Sequence, residues 1–239
     1  MENTDVQDVL NLLIESWEEF KKYYIDEKER YSERQNEAEH FVCWKEDDIV
    51  LQLSRFFYKK LDASPLAGKG IEIHTQMKIS ENTFKKEYDF HKNLPNLIKK
   101  LGKVPTPDFI ITKEDFTPNL WLIGEVKYVR TKNYFSLDRI TDDIKKLNTF
   151  KDLGICSKTV YLVSDDGSLH EKSKKILEEP KIWRGLKDML KEAQNSTSAN
   201  KIDYLDLMLM CKNQNDDCWK HNNFDFKAFC NSGADMRPS

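Results

Sequence analysis

The chain has 239 residues, 39% of them hydrophobic and 33% charged, and a formal net charge of −3. It can bury a core, but no run approaches the ~18 consecutive apolar residues of a membrane span, which excludes membrane enzymes. The first twenty residues carry six carboxylates and no Lys or Arg, the reverse of an export signal's cationic start, and the five cysteines are odd in number and scattered. A cytoplasmic protein with free thiols is the expectation.

The net charge hides an asymmetry. Residues 1–50 sum to −9, residues 51–200 to +7 and residues 201–239 to −1. A basic middle can steer a polyanion whatever the overall charge.

Thr4 and Gln7 have the spacing of a capping box, and Val6, Leu10, Leu13, Trp17, Phe20 and Tyr24 then recur at helical spacing. Such a seam packs on the chain's own core or, as a heptad, pairs with a second copy in a homodimer. The polar stretch Glu27 to His40 separates it from a second helix, Glu46 to Leu61, whose buried face is Ile49, Val50, Leu53, Phe56, Phe57 and Leu61. The expected organisation is a helical N-terminal arm over 1–40 and one domain over 41–239.

Past Pro65, Gly68 and Gly70 the period changes to two. Residues 71 to 79 alternate Ile71, Ile73, Thr75, Met77 and Ile79 with polar neighbours, predicting a strand. Two more strands are predicted at DFIIT (108–112) and LWLIGEVKYV (120–129). Thr141 is placed to cap a helix closed by Gly154, with Asp142 and Asp143 in its first turn and Ile144, Leu147 and Phe150 on its apolar face. TVYLVS at 159–164 then reads as a central strand, so strand, helix and strand form a right-handed parallel crossover. A helix from Pro180 to Ala193, a loop at NSTSAN and a last strand from Tyr204 to Met210 complete the prediction.

The chemistry concentrates in the two strands around residue 116. Glu125 and Lys127, two apart, leave a strand by the same face, and a hairpin centred near residue 116 sets Asp108 opposite Glu125. Two carboxylates facing each other in a half-buried cleft repel unless a hard cation such as Mg²⁺ joins them. An ammonium beside that cation can orient a water or neutralise charge growing on a phosphoryl oxygen, which suits phosphodiester hydrolysis. The bland alternative is a surface hairpin with an ion pair between Glu125 and Lys127.

Pro107, Asp108, the intervening hairpin and then Glu125, Val126 and Lys127 resemble the PD-(D/E)xK nuclease superfamily, over about residues 46 to 165. The resemblance implies an α/β, restriction-endonuclease-like fold with a mixed central sheet flanked by helices. It also implies that Asp108 and Glu125 bind Mg²⁺, with Mn²⁺ as a substitute, that Lys127 assists hydrolysis, and that DNA rather than RNA is cut, as by a restriction or defence endonuclease. Many members carry a glutamate near the start of an upstream helix; Glu46 fits that place as an additional metal or water ligand. Gln76, Lys78, Arg130, Lys132, Lys145 and Lys146 form a group of candidate phosphate contacts. Cys211, Cys218, His221 and Cys230 have zinc-ligand chemistry at spacings that match no ordinary zinc motif. The competing expectation is a non-catalytic or partner-activated nucleic-acid-binding module on the same fold.

Overall fold

A computed structural model describes residues 2–32, 46–84, 86, 88–113, 120–129, 137–165, 202–212 and 219–222. In chain order the elements are α1 (Glu2–Ser32), α2 (Glu46–Asp62), β1 (Ile71–Thr75), a 3₁₀ turn (Asp89–Asn93), α3 (Leu94–Leu101), β2 (Phe109–Lys113), β3 (Leu120–Val129), α4 (Leu137–Asp152), β4 (Cys156–Asp165), β5 (Tyr204–Lys212) and β6 (Trp219–Asn222). The strands lie side by side in sequence order. β1, β2 and β3 pair antiparallel, β3, β4 and β5 parallel, and β5 with β6 antiparallel, which makes the sheet mixed.

Side chains leave alternate faces of the central strands, so two apolar layers form. Val160 and Leu162 of β4 join α1 and α2 on one face, while Tyr161 and Val163 join α3 and α4 on the other. The β3–α4–β4 segment is the predicted parallel crossover, and β4 is central.

The α1 seam packs within the chain. Val6, Leu10, Leu13, Trp17, Phe20 and Tyr24 are buried in the same cluster as α2 and the sheet, the intramolecular one of the two packings the spacing allows. The Trp17 indole N–H donates to Asp206 Oδ2 at 2.6 Å, and the buried Lys21 ammonium donates to the same oxygen at 2.8 Å, pinning the helix to β5. Acidic residues of α1 meet basic residues at the end of α2 and in the segment between α2 and β1: Glu19 lies 2.8 Å from Lys59 and 3.2 Å from Lys60, and Asp5 3.1 Å from Lys69. Hydrogen bonds from Lys59 and Lys60 hold the Glu19 carboxyl below the usual carboxylate range. Part of the acid of the first fifty residues thus neutralises part of the basic middle. The predicted capping box does not form, because α1 begins at Glu2 and Thr4 lies inside it; Gln7 donates forward to Asn11 at 3.0 Å.

Other elements depart from the predicted bounds. β1 ends at Thr75 rather than running to Ile79, because Gln76 takes a φ of 53°, a left-handed conformation uncommon for a residue with a Cβ. α4 starts at Leu137, so Thr141 is not its cap, and Asp142 and Asp143 lie inside the helix. α3, closed by Gly102 at φ 69°, and β6 are additional elements that the sequence did not predict. The helix predicted from Pro180 to Ala193, the loop after it, the boundary at residue 40, Arg130, Lys132, Cys218 and Cys230 lie outside the described residues, as do the side chains of Cys211 and His221.

The β2–β3 register pairs Phe109 with Gly124, Ile110 with Ile123 and Ile111 with Leu122, which sets position 108 across from 125 as the hairpin centre predicts. Gly124 is required by its partner: a Cβ there would stand 2.0 Å from the buried Phe109 ring. Gly124→Ala is therefore expected to destabilise the protein by about 1–3 kcal/mol in chemical denaturation, the usual cost of overpacking a closed core. Phe109→Leu should recover part of that loss in the double variant, since it removes the atoms that clash.

Candidate metal and nucleic-acid site

β3 outruns its partner. Pairing with β2 stops at Gly124, and the N–H groups that follow along the same strand find side-chain acceptors instead. The Val126 N–H donates to Asp108 Oδ2 at 2.7 Å and the Tyr128 N–H to Glu46 Oε1 at 3.3 Å. A residue just before β2 and one at the start of α2 therefore bring their carboxylates to the open edge of β3, beside Glu125 and Lys127. Gln76, on its left-handed turn, donates to Asp108 Oδ1 at 3.2 Å and to Asp47 Oδ1 at 3.3 Å.

Glu125 and Lys127 do not pair with each other, so the simple hairpin ion pair is not what forms. Lys127 Nζ lies 3.2 Å from Asp143 Oδ2 and 3.3 Å from Glu46 Oε1. Glu125 Oε2 instead takes the ammonium of Lys146 at 2.6 Å. Its other oxygen, Oε1, is buried with no hydrogen-bond partner among the described residues, on a residue only 3% exposed. Below them the Tyr161 hydroxyl donates to Asp143 Oδ2 at 3.3 Å.

Burial governs the charges here. It lifts Asp108 from its ordinary value near 3.8 to about 6, against the Val126 hydrogen bond that lowers it, with Glu46 adding to the rise. Burial also pushes Glu125 well above the usual range despite Lys146, and the charge of Asp108 adds to that. The repulsion between carboxylates expected from the sequence is present but secondary to desolvation. For Lys127 burial pulls the other way, yet Asp143 and Glu46 outweigh it and hold the ammonium above the usual lysine range. Lys127 is thus a fixed cation, suited to stabilising negative charge rather than to accepting a proton. The Tyr161 phenol, raised by burial and then by Asp143, stays a neutral donor.

Asp108, Glu125, Lys127 and Glu46 are brought together, and Gln76 and Lys146 from the phosphate-contact group join them. Lys78 and Lys145 are exposed and take no part in these contacts. Asp143 and Tyr161 were missed as site residues. The available signal was the position of Asp143 and Lys146 beside the α4 stripe Ile140, Ile144 and Leu147, all buried against the sheet.

Mg²⁺ usually keeps several waters and takes one or two protein carboxylates. Asp108 and the unpartnered Glu125 Oε1 match that demand, although among the described residues no three His, Cys, Asp or Glu side chains group closely enough to hold a metal by themselves. Among the described residues no helix is long and apolar enough to cross a membrane. Compared with family models, curated proteins and solved structures, the chain matches none of them.

Proposed function

We propose that the chain is a Mg²⁺-dependent nuclease of the PD-(D/E)xK kind on a restriction-endonuclease-like fold, hydrolysing phosphodiester bonds in DNA before RNA, with Mn²⁺ able to replace Mg²⁺. The observation that carries this reading is the buried, unpartnered Oε1 of Glu125 beside Asp108. An acceptor left unsatisfied in a closed site costs about 1–3 kcal/mol, a cost that a bound cation removes.

In this reading Asp108 and Glu125 hold the cation, with Glu46 as a further ligand to the metal or its water. The cation, when bound, supplies a Lewis acid and an activated water. Lys127, fixed by Asp143 and Glu46, neutralises charge growing on the attacked phosphoryl group. Asp143 acts through Lys127 and is a positioning residue, itself oriented by the Tyr161 hydroxyl.

One observation favours the second reading, a partner-activated or non-catalytic nucleic-acid-binding module: the ammonium groups of Lys127 and Lys146 already neutralise the carboxylates. The two readings separate on one gel. Plasmid, single-stranded DNA and RNA are incubated with protein in Mg²⁺, in Mn²⁺ and in EDTA. The nuclease yields products that require the metal. A nucleic-acid shift with no products in any metal would favour the module instead.

A further inference from the structure

Two lysines enter the site, and their attachments differ. Lys127 has two carboxylates of its own, Glu46 and Asp143. Lys146 reaches in from α4, and among the described residues its ion-pair partner is Glu125, at 2.6 Å. Glu125 is also the carboxylate whose second oxygen is buried and unpartnered. The ammonium of Lys146 therefore stands against the group that a divalent cation would use. A compact, strongly hydrated charge on a flexible stem can move; the carboxylate, on a central strand paired to Tyr161 of β4, cannot.

We propose that Lys146 is the resident counter-cation of this site: a divalent metal displaces it from Glu125, and the freed ammonium then binds a phosphodiester oxygen of the nucleic acid. This rests on the nuclease reading and deepens it. A divalent ion on Glu125 would face the ammonium at close range, and like charges in a poorly solvated cleft repel strongly. Lys146 must then leave, and once away from Glu125 it needs a new anion. Nucleic acid brought to the metal supplies one within the reach of a lysine side chain. Metal and nucleic acid thereby bind cooperatively, each removing the other's cost, and by linkage the coupling is the same in both directions. Lys127 cannot play this part, because Asp143, which is not one of the proposed metal ligands, keeps it whether or not the metal is bound.

The exchange is testable on the unmodified protein through the reactivity of its lysines. Pulse acylation with an N-hydroxysuccinimide acetate, read peptide by peptide in a mass spectrometer, reports how free each ammonium is, with the exposed neighbour Lys145 as internal standard. Mg²⁺ alone is expected to raise Lys146 labelling several-fold over EDTA while leaving Lys145 unchanged. A duplex oligonucleotide added with Ca²⁺ should return Lys146 to its protected level, and the oligonucleotide in EDTA should leave it as in EDTA alone. Mn²⁺ titrations followed by water-proton relaxation run in parallel. If Mn²⁺ binds and Lys146 labelling does not rise with metal, the exchange is overturned and the metal site stands. Labelling that rises with metal but is not suppressed by the oligonucleotide overturns the transfer to phosphate. If Mn²⁺ binds neither alone nor with oligonucleotide, the exchange and the nuclease reading fall together.

Discussion

Lys127→Met is expected to reduce metal-dependent cleavage about 10²-fold or more at saturating nucleic acid, with affinity for that nucleic acid changed only a few-fold. The ammonium is held charged by Asp143 and Glu46, so its contribution belongs to the charge that develops in the reaction rather than to the ground state. The fold should survive the change. Asp143 keeps the Tyr161 hydroxyl, Glu46 keeps the Tyr128 N–H, and Glu46 is 37% exposed, so neither carboxylate is left buried and alone. Unfolding in denaturant is expected to show a loss of about 1–3 kcal/mol. Lys127→Arg keeps the charge but replaces a point donor by a planar fork, and should recover only part of the rate. Single-turnover cleavage and a binding isotherm on the same preparation separate the effects, and an unchanged rate for Lys127→Met would remove the central assignment.

Much of this site was legible because strand chemistry is local. The alternation of β3 sets Glu125 and Lys127 on one face, and the number of residues between β2 and β3 fixes which residue next to the first strand meets Glu125. A one-residue slip would have put Asp108 on the other layer, and Gly124 helps to forbid it by accepting the Phe109 ring. Glu46 was legible for a similar reason, since its position relative to Ile49, Leu53 and Phe57 points it toward the sheet. The parts that were not legible depend on where distant elements stop. β1 ends four residues early because Gln76 turns to reach Asp108 and Asp47, a tertiary demand that alternation cannot encode. Asp143 looks like a first-turn acid only if α4 begins at Thr141; with a start at Leu137 it sits over β3 and β4, between Lys127 and Tyr161. The balance of forces was also hidden. Facing carboxylates suggest repulsion, but how deeply they are buried decides their charge, and burial is set by α2, α4 and the sheet together.

Asp108→Asn tests that balance through stability, with no substrate present. In EDTA the folded Asp108 has its pKa raised to about 6, above its ordinary value near 3.8, so between those values the native state binds more protons than the unfolded chain. By linkage this group's contribution is fully present below pH ~4 and is lost as pH rises through ~6, a change of about 3 kcal/mol for a shift of about two pKa units. Asparagine cannot titrate. Its Oδ1 can still accept the Val126 N–H, and Gln76 can turn its amide to meet the new NH₂ group. The parent melting temperature is therefore expected to fall relative to the variant between pH 4 and 7, with the variant equal or higher at pH 8. At about 2–4 °C per kcal/mol for a chain of this size, the relative shift is readily measured. Mg²⁺ at pH 8 should reverse the order, because binding to the native state stabilises the parent while the variant has lost a ligand. The same ionisation predicts that the Mg²⁺-induced rise in melting temperature shrinks below pH ~6, where protons compete for Asp108. If the parent and variant curves run parallel across this pH range and respond alike to Mg²⁺, Asp108 serves only to hold the open edge of β3, through Val126.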